Sequence, residues 1–270
     1  MAEKQRRYLE VILGTADAAR PYRHVSLADY VDAGSDWRRL SAAMIDLDYD
    51  AITGLTADAE GSLEQWTRLH ADLHDCGYLM LDAQGSIAGY WLHTPLRPAA
   101  MRTAKAGTLL DAELESESLA VLGPAGLVDL YLVAMVLHPA HQSIVARNAL
   151  IGSFMRHLED LAELGIYVRD LSFCAYTVDS ERLAEGLELR RGVPHARYRR
   201  LDPDGERRPA YMFEASTVDI ARSPRIATHW PLLAKRYRDM LERVQGEQGS
   251  EGPVDDASGI ACPRCVFSLR

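Results

Sequence analysis

Four cysteines in 270 residues are too few to staple a disulfide scaffold. No apolar run reaches the ~18 residues that a membrane span needs, so no membrane partner is expected. Positive charge is also scarce: 30 Lys and Arg face 39 Asp and Glu, a net charge of -9. That balance disfavours nucleic acid as a partner. The N-terminal "MAEKQRRYLEVILGTADAAR" starts basic, but its apolar part is short and holds Glu10, which argues against a signal peptide. A reduced, cytoplasmic protein is the expectation. A last scarcity is local. The loop "AHQSIVARN" (140–148) has no glycine, although it joins an apolar run to a helical pattern, where chains often cradle a pyrophosphate.

Hydrophobic residues make up 47% of the chain, enough to build the core of one large domain with extensions. Residues 1–21 read as an N-terminal extension with a short strand at "YLEVILG", and 22–216 as the folded domain. Helices are expected over 35–50, through Trp37, Leu40, Met44 and Ile45, and within 57–77, where Leu63, Trp66, Leu69 and Leu73 recur at helical spacing. "YLMLDAQGSIAGYWLHTPL" (78–96) reads as a hairpin turning at "DAQG". The acidic stretch 97–126 is too long for a tight turn, so it is either an ordered insertion or a flexible flap.

"LVDLYLVAMVLHP" (127–139) is almost continuously apolar, which implies a central strand covered on both faces. A helix to about Leu164, a strand over 166–177, a helix over 178–192 and a hairpin turning at "DPDG" within 195–216 follow. A C-terminal helix lies within 217–245, and 246–270 reads as a disordered tail carrying "CPRC". The fold class is α/β with a mixed sheet.

This order resembles the GNAT superfamily of N-acetyltransferases over about residues 22–215. Three stretches carry the resemblance: "GYLMLDAQGSIAGYWL", "MVLHPAHQSIVARNALI" and "LSFCAYTVDSERLAEGLEL". It implies a GNAT-like fold whose central strand splays from its neighbour, with acetyl-CoA or another acyl-CoA as donor and no metal. Matched residue by residue, Met135 and Leu137 fall on the pantetheine-facing strand, and Gln142 on the leading Arg/Gln of the phosphate motif. Ser143, Ile144, Val145, Ala146, Arg147 and Asn148 form the phosphate loop. Val145 and Arg147 stand where that motif has glycine, and glycine or alanine. A β-branched valine should narrow the loop or change its path. Arg147 either offers its guanidinium to a phosphate or is a solvated helix residue.

Acyl transfer to an amine needs a base for the ammonium proton and a stabilised oxyanion. Asp129 and Tyr131 are two apart, hence on one strand face. By register Tyr131 lies near where the family often has Glu, and Asp129 is the nearest carboxylate, either the base or the solvated start of a strand. The family's last helix commonly supplies a general-acid tyrosine. "SERLAEGLELRR" has none, so Tyr176, at the preceding strand end, is the substitute, unless it only packs there.

His138 and His141 either line the cleft mouth or sit on a surface loop. "HADLHDC" and the single C-x-x-C are weak metal patterns. The arginine-rich 189–201 either attracts phosphates or an acidic acyl-carrier protein, or is solvated.

The resemblance implies an N-acyltransferase acting on a small-molecule or peptide amine. Its rivals are an acyl-carrier-protein-dependent N-acyl amino acid or acyl-homoserine-lactone-type synthase, and a degenerate GNAT-like binding module. The C-terminal helix, with Trp230, Leu232, Leu233, Tyr237 and Leu241, packs either on the domain or on a second copy in a homodimer.

Overall fold

A computed structural model describes residues 21–73, 75–202 and 204–249, the last four for their backbone alone. The expected strand at "YLEVILG", His74 and the "CPRC" motif lie outside the described residues. Among the described residues the strands form one seven-stranded sheet, ordered β1-β2-β3-β4-β5-β7-β6. These are β1 (Arg23–Ser26), β2 (Gly77–Leu81), β3 (Ile87–Leu96), β4 (Gly126–Leu137), β5 (Ile166–Ala175), β6 (Arg190–Leu201) and β7 (Arg207–Ser216). Every neighbouring pair is antiparallel except β4 and β5. The sheet is mixed, as the sequence suggested.

Helices cover both faces. On one lie α1 (Leu27–Asp32), α2 (Trp37–Ala51), α3 (Ala57–Glu60), α4 (Leu63–Asp72) and α5 (Pro98–Lys105). On the other lie α6 (Ile144–Glu163), α8 (Thr217–Arg222), α9 (Pro224–His229) and α10 (Pro231–Gly249). The remaining helix, α7 (Val178–Gly186), follows β5. β4 feeds both cores: Leu130 and Leu132 join one, Tyr131 and Val136 the other. Its apolar run has that physical cause.

Three boundaries differ from expectation. The pattern over 57–77 is two helices, broken at Gly61, whose φ of 94° suits glycine. The helix read over 178–192 stops at Gly186, because Glu188 takes a φ of 62° and the chain enters β6 at Arg190. The last helix runs to Gly249, into the stretch read as disordered. Leu233 and Tyr237 of that helix are fully buried against α6 and β5, so it packs on its own domain, while Leu232 stays exposed. No helix among the described residues is long and apolar enough to cross a membrane.

The acidic stretch 97–126 is ordered. It contains α5 and two 3-10 turns, Asp111–Glu113 and Ser116–Ser118. The Gln65 side chain of α4 donates to the carbonyls of Asp111 and Leu114, both at 2.9 Å, and His195 of β6 bonds the Leu109 carbonyl at 2.8 Å.

The feature that positions the site lies in β4. Its ladder with β5 runs from Gly126–Ile166 to Tyr131–Ser172 and stops, although both strands continue. On the other edge, Leu92 pairs with Ala134 and His93 with Leu132, so Val133 is the unmatched residue of a bulge. A bulge bends and twists its strand. Beyond it β4 follows β3, while β5 follows β7 as far as Ala175–Tyr211. The sheet splits into a wedge.

Gly89 fits the bent end closely: a Cβ there would sit 2.5 Å from the Val136 carbonyl oxygen and 3.3 Å from Leu137 Cα. Backbone atoms cannot step aside cheaply. Gly89→Ala is expected to cost about 1–3 kcal/mol, read as a lower denaturant midpoint; an unchanged midpoint would contradict this packing.

Candidate functional site

The wedge opens into a cavity of about 540 Å³. One wall is the β4 segment Leu132–Leu137, the other Phe173, Cys174 and Tyr176 of the β5 end. Among the described residues the β4 edge facing this wedge has no strand partner beyond Tyr131, so backbone groups on that edge are available to a ligand.

At its inner end stands Asp111, carried in from the 97–126 stretch and 7% exposed. Tyr131 donates to its Oδ1 at 3.0 Å and Tyr176 to its Oδ2 at 3.1 Å. The Asp111 amide donates to the Tyr198 hydroxyl at 2.8 Å. Burial pushes the Asp111 carboxyl up to about 6, with the tyrosine hydrogen bonds pulling against that rise. Burial, with the Asp111 charge next in weight, keeps both Tyr131 and Tyr176 protonated well above the usual phenol range. A carboxylate that titrates near neutrality, held by two phenol donors, suits proton transfer.

Two more acids line the same cavity, Asp48 of α2 and Glu60 of α3. Asp48 takes a hydrogen bond from Tyr90 and shares a second one with the Glu60 carboxyl. Burial pushes Asp48 up to about 7. Burial, and then the nearby Asp48 and Asp111 charges, push Glu60 up to about 10. His70, bonded to Ser41 at 2.8 Å, also lines the cavity, and burial pushes it down to about 4, leaving it neutral.

The structure gathers Tyr131 and Tyr176 but not Asp129. Asp129 lies at the other, paired end of β4, where Arg169 Nε donates to its Oδ1 at 2.7 Å. It is 4% exposed and lines a different pocket beside Leu96 and Pro98. A carboxylate engaged on both oxygens by a guanidinium is poorly placed to accept a substrate proton.

Met135, Leu137, Gln142, Ile144, Arg147 and Asn148 line the cavity. Ser143 caps α6, its Oγ accepting the Ala146 amide at 3.2 Å. Val145 is exposed, so its branched side chain turns out of the loop instead of narrowing it. Gln142 Nε2 donates to the Leu137 carbonyl at 2.9 Å. Arg147 reaches across to Asp179 of α7 at 2.8 Å, so it is neither free nor simply solvated.

His138 caps its own turn and His141 bonds Tyr22 at 3.2 Å, both outside the cavity lining. The arginines of 189–201 are largely engaged: Arg190 with Glu214 at 2.9 Å, Arg191 with Glu181 at 2.7 Å, and Arg197 with Glu113 at 2.6 Å. Such pairing leaves little free positive charge for a carrier protein.

Sequence reasoning missed Asp48, Glu60 and Asp111. Asp48 left a signal. It follows Leu40, Met44 and Leu47 on the buried stripe of α2, where a carboxylate is out of place. Asp111 and Glu60 left none, since their segments carry no period.

No family model and no curated protein matches the sequence. The fold is similar to several solved structures. A GCN5-related N-acetyltransferase from Brucella melitensis is 19% identical, over 83% of each chain, at a TM-score of 0.39. The ribosomal-protein-S18-alanine N-acetyltransferase from Escherichia coli is 12% identical, over 72% of this chain and 93% of that one, at 0.42. A GNAT-like decarboxylase in complex with isobutyryl-CoA is 14% identical, over 72% and 98%, at 0.46. At such identities and scores none of them assigns an activity to this chain.

The raised carboxyls have a consequence for stability. A carboxyl with a raised folded-state value binds more protons in the native than in the unfolded state. The Glu60 contribution to stability is therefore full below its ordinary value of 4.5 and is lost as pH rises toward about 10. Denaturant unfolding should show this decline, and Glu60→Gln should flatten it; an equal slope in wild type and variant would contradict the burial of Glu60.

Proposed function

We propose that this chain is a GNAT-type N-acyltransferase, moving an acetyl or other acyl group from acyl-CoA to a small-molecule or peptide amine. One observation carries the reading. The β4–β5 ladder ends at Tyr131–Ser172, and the wedge beyond leads to Asp111 held between Tyr131 and Tyr176.

The residues present fit acyl-CoA. The freed β4 edge from Leu132 to Leu137, including Met135, offers backbone groups to the pantetheine arm. The first amides of α6, at Ile144 and Val145, face the positive end of the helix dipole toward a phosphate. Arg147 lies one turn in and can exchange Asp179 for a phosphate oxygen. Bound acyl-CoA supplies a thioester, an acyl group on a good leaving sulfur.

Asp111 accepts the proton that the acceptor ammonium must lose before its nitrogen can attack the carbonyl. A freed backbone N–H of β4 stabilises the oxygen charge that develops there. Tyr176 delivers its proton to the departing sulfur and regains one from Asp111 through the hydrogen bond already in place, which frees Asp111 to take the second proton that the nitrogen sheds on becoming an amide and to pass it to solvent. Asp129 becomes a structural residue that ties β4 to β5 through Arg169.

Calorimetric titration with acetyl-CoA, longer acyl-CoAs and free CoA tests the donor; saturable binding is expected, and its absence from all of them would contradict the reading and leave a non-catalytic module. Turnover should rise through about pH 6 and level off. Asp111→Asn should lower turnover about a hundredfold or more with acyl-CoA affinity retained. Asp129→Asn should lower stability while sparing turnover; the reverse pattern would return the base to Asp129.

A further inference from the structure

The cavity does not end at the split in the sheet; it continues through it to the other face. On the α2 side it reaches Asp48, Glu60 and Trp66. On the α6 side it reaches Leu158 of α6, Leu171 of β5, Ala215 of β7, Ile220 of α8, Ile226 of α9 and Leu233 of α10. These six walls are all apolar, and none is more than 6% exposed. The lobe starts beside the proposed chemistry, because Leu171 pairs with Leu130, one rung before the ladder ends at Tyr131–Ser172. It also has length: Ile151 and Leu158 both line the cavity, and the stretch of α6 between them spans about 10 Å. Protein interiors pack densely, with few voids larger than a water molecule, and the walls of an empty apolar void forgo contacts on one side. A lobe built from six elements against that tendency calls for an occupant. The pantetheine arm of acyl-CoA does not suit it. That arm carries two amides, whereas the six walls offer no polar side chain, and the Leu171 backbone is already paired with both Leu130 and Ala215. An acceptor ammonium would lose its water there and find no partner. A hydrocarbon chain meets neither penalty.

We infer that this lobe seats the hydrocarbon tail of the acyl donor, so that the group transferred is a medium or long aliphatic chain rather than acetyl. The tail passes the split beside Tyr131, turns under the paired part of the sheet and ends against Ile226 and Leu233. The helices after β7 thereby gain a part in substrate choice, since α8, α9 and α10 supply three of the six walls. The word acyl rests on the acyltransferase reading, but the affinity of the lobe for an aliphatic chain does not.

Calorimetric titration of the full chain compares acetyl-CoA with octanoyl-CoA, and adds 1-octanol as a chain without the nucleotide. Each methylene buried tightens binding about fourfold before the chain's ordering is charged against it, so octanoyl-CoA should bind about thirtyfold tighter than acetyl-CoA or better. Ala215→Leu, which places a larger side chain at the wall beside Leu171, should remove most of that preference and weaken 1-octanol about tenfold or more. Equal affinity for the two acyl-CoAs in the wild type would overturn the inference while leaving the acyltransferase reading in place, and that comparison needs no variant to fold. A preference that Ala215→Leu leaves intact would also overturn it, because the tail would then lie elsewhere. A chain that binds 1-octanol, loses it on Ala215→Leu and binds no acyl-CoA would support the aliphatic seat and sink the acyltransferase reading instead. Binding of neither acyl-CoA nor 1-octanol would overturn both.

Discussion

The structure depends on where β4 stops pairing with β5. Six ladder positions, from Gly126–Ile166 to Tyr131–Ser172, hold the two strands together, and none follows. The bulge at Val133 gives this stop a cause in the chain itself, because one unmatched residue turns β4 toward β3 just as β5 is drawn along β7. A sheet that stayed paired would have no wedge there and no free strand edge. Everything proposed for the site follows from that divergence.

The second constraint is electrostatic and runs against stability. Three carboxyls sit in a low-dielectric pocket, each pushed up by its burial. A packed core would exclude them. The chain instead surrounds them with phenols: Tyr90 on Asp48, and Tyr131 and Tyr176 on Asp111, with Tyr198 under the Asp111 amide. These hydroxyls supply polarity without charge, so the acids keep a raised affinity for a proton. The ordered stretch 97–126 is what delivers Asp111, and its anchoring by Gln65 and His195 is part of the site's construction.

The fold was more legible than the site. The doubly apolar run of β4, the "DAQG" turn and the stripes of α2, α4 and α6 are periodic signals, and each became the element it suggested. Tyr131 and Tyr176, to which strand position and the resemblance point, both hydrogen-bond Asp111. Proximity along the strand points to Asp129, but its partner Arg169 comes from the neighbouring strand, and no spacing within β4 reveals that pairing. Asp111 lies 20 residues before Tyr131 and 65 before Tyr176, in a segment without period, so only the folded chain unites the three. The missing glycines imply a loop that is narrowed or follows a changed path. The structure answers that differently: Val145 turns outward and Arg147 is held by Asp179 from the next helix.

The most direct measurement is a crystal structure with a non-hydrolysable acyl-CoA analogue. The account predicts the pantetheine arm along the freed β4 edge between Leu132 and Leu137, its sulfur beside Tyr176, and the pyrophosphate at the start of α6 with Arg147 turned from Asp179 toward it. An analogue bound elsewhere, or a wedge closed by β4 pairing with β5 beyond Tyr131–Ser172, would contradict it.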